Sequence, residues 1–220
     1  MKRILLLHGY TEAGFIFDTL RPLLPPAAEV LVPELEADLA QWPPGTPLTA
    51  VTLARYLAAR YRIGPHDVLI GHSMGGWLAA YIKEQTGATA ILLSGFTDQA
   101  KIVAAVRRPW VLALAARSGL LQSRLASWHS LRRYRFDESR GLHTQLVGRT
   151  PQLGRRYLWQ QLQLLFAPVP PLTTAPELRL HARRDHIIRP PDEPYGELPG
   201  DHFAHYFYPR LVVEAIRPFL

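Results

Sequence analysis

The sequence predicts an α/β protein: a mostly parallel sheet with helices on both faces, interrupted by one helical insertion. Three observations predict it. Short, nearly continuous apolar runs alternate with helix-period segments over the first 98 residues, as in a doubly wound sheet whose strands are buried on both faces. Residues 97–172 then offer no clear strand pattern. The alternation resumes at Glu177–His181 and ends in a C-terminal helix.

Each element follows from local chemistry. Lys2–His8 is an apolar run and the first strand, and Gly9–Gly14 is a loop. Phe15–Leu24 forms a short helix stopped by Pro25 and Pro26, because proline cannot continue a helix. Glu29–Val32 is the second strand, and Pro33 to Pro47 is a proline-rich loop. Leu48, Val51, Ala54, Leu57, Ala58 and Tyr61 recur at helical spacing, with Thr46 as N-cap, Pro47 at the first helical position and Gly64-Pro65 closing. Asp67–Gly71 is a strand, Met74–Thr86 a helix ending before Gly87, and Thr89–Leu93 a strand. Arginine-rich helical patches follow near 101–116, 119–133 and 151–166, and Pro168 to Pro171 closes the insertion like a hinge. After the strand at 177–181 come a Pro- and Gly-rich loop and a helix with Leu211, Val212, Ala215, Ile216 and Phe219 on one face.

Composition excludes whole classes of protein. The chain has 220 residues, 48% hydrophobic and 20% charged, which fits one globular domain and not a disordered, collagen-like or coiled-coil chain. No stretch approaches the ~18–20 apolar residues of a membrane span. Ile4–Leu7 is too short for a signal-peptide core, so the expected location is cytoplasmic. With no cysteine, disulfides, thiolate catalysis and Cys-based metal sites are excluded. The net charge of +7 is unevenly spread. Residues 101–166 hold twelve Lys and Arg against Asp137 and Glu138, a balance of +10, and the rest of the chain is −3.

The sharpest motif is Gly71-His72-Ser73-Met74-Gly75-Gly76, which follows a buried strand and opens a helix. That is the context of a G-x-S-x-G turn. Glycines two before and two after keep side chains away, so the serine oxygen stands exposed above the strand ends. The helix N-terminus beneath it favours developing negative charge.

With His8-Gly9-Tyr10 ending the first strand, this motif resembles the α/β-hydrolases, in particular serine esterases and thioesterases with a helical lid. The resemblance covers 1–98 and 173–220. It implies a reduced α/β-hydrolase fold of about six strands, because the chain starts almost directly on the His-Gly strand where family members usually have two strands more. The segment 99–172 would be the lid. The backbone N–H groups of Tyr10 and Met74 would bind the oxyanion. The family order is Ser, then acid, then His, which points to Ser73, Asp185 after the strand Leu178–His181, and His202 in Pro199–Phe203. Asp98 is the rival acid, because some relatives carry it after the earlier strand. His205 and His186 are the rival histidines. His205 is expected inside the last helix, and His186 is adjacent to Asp185. Candidate substrate-contacting residues are His8, Gly9, His72 and Phe96 from the core, with Trp110 and Trp128 from the insertion.

The implied activity is hydrolysis of a carboxylic ester, or of a thioester, through an acyl-enzyme on Ser73, with no cofactor and no metal. The same triad also serves C–C bond hydrolysis and cofactor-free haloperoxidase chemistry. A hydrolase-fold protein that only binds through its basic lid is the alternative from another class. The lid arginines are read first as solvated helix faces, then as a surface for an anionic or carrier-bound substrate, and last as a nucleic-acid surface, since no nucleic-acid motif is visible.

Overall fold

A computed structural model of the chain describes residues 2–104 and 106–220. Six strands form one sheet: β1 (Arg3–Leu7), β2 (Glu29–Leu31), β3 (Val68–His72), β4 (Thr89–Leu93), β5 (Leu178–Ala182) and β6 (Gly196–Leu198). Their order is β2-β1-β3-β4-β5-β6, and every pairing is parallel. A parallel sheet puts all strand C-termini at one edge, which is where open α/β sheets bind ligands. The loops carrying Glu12, Ser73, Asp185 and His202 leave that edge.

The period of two along each strand divides the core. Leu5, Leu7 and Leu69 point to one face, where they meet α1 (Leu35–Ala40), α2 (Ala50–Arg60), α3 (Met74–Thr86) and Leu158 and Leu164 of α7 (Arg155–Phe166). Ile4, Leu6, Val68 and Ile70 point to the other, against Ile16, Phe17, and Val212 and Ile216 of the C-terminal helix. All five residues of β3 are buried, as its apolar run requires.

Between β4 and β5 lie α4 (Pro109–Ser118), α5 (Arg124–Arg133), α6 (Arg140–Arg149) and α7, and no strand among the described residues. The chain closes with α8 (Ala204–Phe207) and α9 (Pro209–Ile216). No helix among the described residues is long and apolar enough to cross a membrane.

The structure corrects several expectations. Phe15–Leu24 is not one helix but two 3-10 turns, Gly14–Phe17 and Arg21–Leu23, because Pro22 interrupts the pattern. The loop from Pro33 contains α1, whose Leu35 and Leu39 are buried. The N-cap of α2 is Thr49, not Thr46. Its hydroxyl accepts from Thr52 N (3.2 Å) while Thr52 Oγ1 accepts from Thr49 N (2.9 Å), a reciprocal capping box that Thr46 cannot make. The helix expected over 101–116 starts only at Pro109, and Ala105 lies outside the described residues. The loop after β5 contains β6, and α6 had no counterpart in the expected elements. His205 sits in the separate short helix α8, and Leu211 faces solvent.

Candidate active site

Ser73 joins β3 to α3 with φ 52° and ψ −118°. A side chain in such backbone costs about 1–3 kcal/mol and persists only where surroundings hold it. Here Ser73 N donates to Leu93 O (3.0 Å), and Ser73 O accepts from Gly76 N (3.0 Å) and Trp77 N (3.2 Å). The flanking glycines are sterically required. A Cβ on Gly75 would strike the Leu7 carbonyl, and one on Gly71 would strike the Gly75 backbone. The tight crossing of the turn over β1 therefore depends on both.

His202 precedes α8, and its Nδ1 donates to Asp185 Oδ2 at 2.7 Å. The other oxygen, Oδ1, accepts from Ile187 N (2.8 Å) and Ile188 N (2.9 Å). Burial alone would raise the Asp185 pKa, but the charges and hydrogen bonds of His202 and His181 outweigh it and hold the carboxyl well below its ordinary range. Since Nδ1 carries the proton toward Asp185, Nε2 is the basic nitrogen of neutral His202. The neighbouring Asp201 fixes the loop. It accepts from Phe203 N (3.0 Å), Tyr134 Oη (2.6 Å) and the Ser139 hydroxyl. Asp98 takes no part. Its carboxylate caps a 3-10 turn by accepting from Ala100 N (2.8 Å).

Directly behind lies a second buried pair. His72 Nδ1 donates to Glu12 Oε2 (2.9 Å) and His72 Nε2 donates to the His202 carbonyl (3.0 Å). Carboxylate and carbonyl oxygens only accept, so this geometry needs both ring protons and makes His72 an imidazolium. Burial opposes that charge, yet Glu12 raises the His72 pKa, and in return His72 lowers that of Glu12 against the same burial. Glu12 also accepts from Gly9 N (2.5 Å). The pair thus ties together the loop after β1, the serine turn and the His202 loop. His8 behaves oppositely. Its Nε2 accepts from Leu35 N (3.2 Å), and burial lowers its pKa, so it stays neutral. Glu12, His72 and His202 offer the one cluster of potential metal ligands among the described residues, with ligand atoms within 4.8 Å of one another. The contacts above already occupy Glu12 Oε2, both nitrogens of His72 and Nδ1 of His202.

Ser73 and His202 open together on a cavity of about 290 Å³. Tyr10, Ile187 and Phe203 also line it from the core, and Leu121, Ser130, His143, Leu146 and Val147 line it from the helical segment. The N–H groups of Tyr10 and Met74 have no acceptor among the described residues, and Met74 opens α3, where the first N–H groups lack intrahelical partners. Other expected contact residues do not reach the cavity. His8, Gly9 and His72 lie behind it, and Phe96 is buried against Trp77. Trp110 and Trp128 are 65% and 54% exposed and line no part of it. The sequence reading missed Glu12 and the lining residues Ser130 and His143. Glu12 lies three residues past Gly9, but only the fold brings it to His72.

The family model that matches the chain, over residues 4–215, is that of the alpha/beta hydrolase family. No curated protein matches. Among solved structures, the chain is similar to a hydrolase from Oleispira antarctica (TM-score 0.75, 13% identity, covering 99% of this chain and 91% of that one). It is also similar to a thermophilic esterase from Thermogutta terrifontis (TM-score 0.71, 18% identity, 100% and 89%). A thioesterase of the prodiginine biosynthetic pathway in Streptomyces coelicolor aligns at TM-score 0.58 and 20% identity, covering 100% and 85%.

Proposed function

The chain belongs to the alpha/beta hydrolase family, and from that premise we propose that it is a serine hydrolase cleaving carboxylic esters or thioesters through an acyl-enzyme on Ser73. The observation that carries this reading is one cavity holding both Ser73, on its left-handed turn, and His202, backed by Asp185.

His202 Nε2 removes the Ser73 proton as Oγ attacks the substrate carbonyl. Asp185 holds the ring in the required tautomer and stabilises the imidazolium that forms. The Tyr10 and Met74 N–H groups receive the oxyanion, a contribution of several kcal/mol to the barrier, on the order of 3–4 for one donor. The imidazolium then returns its proton to the departing alkoxide or thiolate. Water enters, gives a proton to His202 and releases the carboxylic acid, and Ser73 regains its hydrogen.

In this reading residues 1–98 and 173–220 form the catalytic core and 99–172 form a lid over Ser73. The support is that α5 and α6 supply part of the cavity wall. The substrate is a small molecule, handled in the cytoplasm. The solved relatives named as an esterase and a thioesterase favour acyl transfer over other uses of the same triad. The test is labelling by a fluorophosphonate probe with peptide mapping, alongside a p-nitrophenyl ester chain-length series. Label on Ser73 with ester turnover is the expected result. An unlabelled Ser73 with no turnover would mean a protein that binds without cleaving.

A further inference from the structure

The arginines of the helical segment divide by what they touch. Arg107 donates to the carbonyls of Gln99 (3.0 Å), Ala100 (3.1 Å) and Ile102. Arg140 pairs with Asp137 (2.8 Å), Arg149 with Glu36 (3.6 Å), and Arg155 donates to the Arg117 carbonyl (3.2 Å). These arginines hold the segment together. Arg132, Arg133 and Arg135 are different. Among the described residues none has a carboxylate partner, and residues 101–136 contain eight Lys and Arg and no Asp or Glu to supply one.

Those three arginines line one side of a groove of about 870 Å³. The groove adjoins the cavity that holds Ser73, and the two share Ser130, His143 and Ile187 as their common wall. Arg132 lies over the Trp128 ring, 5.1 Å from its centroid. Such a cation–π contact engages the face of the cation and leaves its N–H groups able to bind an anion. At the shared wall His143 Nε2 lies 3.2 Å from Ser130 Oγ, and burial pushes its pKa to about 4, so it is polar but uncharged. On the groove side His186 Nδ1 is buried with no hydrogen-bond partner. The groove therefore presents cations, with no Asp or Glu among the residues that line it.

We propose that this groove is a subsite for an anionic leaving group, so that the preferred substrate joins a short acyl chain to a phosphate-bearing alcohol or thiol. The inference rests on the serine-hydrolase reading and names its substrate class. The two volumes set the orientation. About 290 Å³ beside Ser73 suits a small acyl group, and the larger, basic space beyond Ser130 and His143 suits a bulky charged one. Because the arginines are exposed, they act on capture and binding, and salt weakens them.

The experiment uses two thioesters with the same acyl group and a similar thiol end, acetyl-coenzyme A with phosphates and S-acetyl-N-acetylcysteamine without. Wild type should favour the phosphorylated thioester at least tenfold in kcat/KM, mainly through KM, and raising salt from 50 to 500 mM should erase most of the preference. In a variant combining Arg132→Glu, Arg133→Glu and Arg135→Glu the selectivity ratio should fall at least tenfold, and the triple lysine variant should recover most of it. No preference in wild type, or a ratio unmoved by charge reversal, would overturn the proposal. Calorimetric binding of coenzyme A to the Ser73→Ala protein separates the two ideas. Binding weakened tenfold by the glutamate variant supports the groove even if wild type cleaves no ester, in which case the hydrolase reading alone fails. Ester cleavage without arginine-dependent binding sinks the groove alone.

Discussion

The floor of the cavity and the helical segment beside it are built by opposite rules. On the floor Glu12, His72, Asp185 and His202 are buried, and each has named partners from other loops. Such groups cannot shift without leaving a buried charge unpaired, which costs about 3–5 kcal/mol. Beside the floor, α5 and α6 supply part of the cavity wall, and the helical segment they belong to leaves Trp110, Leu114, Leu125 and Trp128 exposed and Arg132, Arg133 and Arg135 without carboxylate partners. The difference teaches where each property resides. The buried cluster is locked into the sheet edge, whereas the exposed side chains of the helical segment can change at little cost.

Changes on the floor should break function outright. The largest effect is expected from Ser73→Ala, with kcat/KM for a short p-nitrophenyl ester falling by about 10³-fold or more and the circular dichroism melting curve little changed. Residual activity within tenfold of wild type would remove serine from the mechanism. Next comes the acid. Asp185→Asn favours the wrong His202 tautomer and should cost about 10³–10⁴-fold in kcat, whereas Asp98→Asn, which touches only a 3-10 cap, should stay within about threefold. A reversed ranking moves the acid to the other strand.

The third effect is on stability and its pH dependence. The His72 pKa is raised above its ordinary 6.5, so that group's stabilisation is present below 6.5 and is lost as pH rises through the raised value. The Glu12 pKa is lowered below its ordinary 4.5, so its stabilisation is present above 4.5 and is lost as pH falls through the lowered value. The two overlap fully between 4.5 and 6.5. Glu12→Gln should lower Tm most in that window, by roughly 10 °C, and the gap should narrow as pH rises through the raised His72 value. A gap independent of pH would mean that Glu12 acts by shape alone.

The smallest effect belongs to the helical segment. Trp110→Ser should change stability by no more than about 0.5 kcal/mol and ester turnover by less than twofold. Trp77→Ala, in the core and stacked on Phe96, should cost about 3–5 kcal/mol. Both are read from chemical denaturation. Similar losses at the two tryptophans would erase the distinction between the core and the helical segment.

How far the sequence could be read follows the same division. The central strands and the serine turn were legible because apolar runs and paired glycines are local signals, and β3 to α3 matches its expected limits to within a residue or so. Local signals fail elsewhere. The strand β6 has three residues, too few for a period. Prolines on both sides hid α1, and Gly141 and Gly148 diluted the pattern of α6. The sequence put Asp185 first and kept Asp98 as its rival, and only the fold shows which carboxylate meets His202. The Glu12–His72 pair spans 60 residues and exists only once β1 and β3 lie side by side. Trp110 lines neither the Ser73 cavity nor the groove beside it and Trp128 lines only the groove, because composition reports that a side chain is apolar and not what covers it.

The helical segment also bears on how such a chain can diversify. Strands β4 and β5 pair directly, yet roughly 80 residues separate Leu93 from Leu178. Loop-closure entropy grows only with the logarithm of length, so a connection this long costs about 2 kcal/mol more than one of ten residues. Lengthening, shortening or exchanging the segment is therefore a small thermodynamic step that leaves the strand register untouched. Inheritance can treat the stretch as a cassette, exchanging it whole while the sheet beneath goes on folding as before.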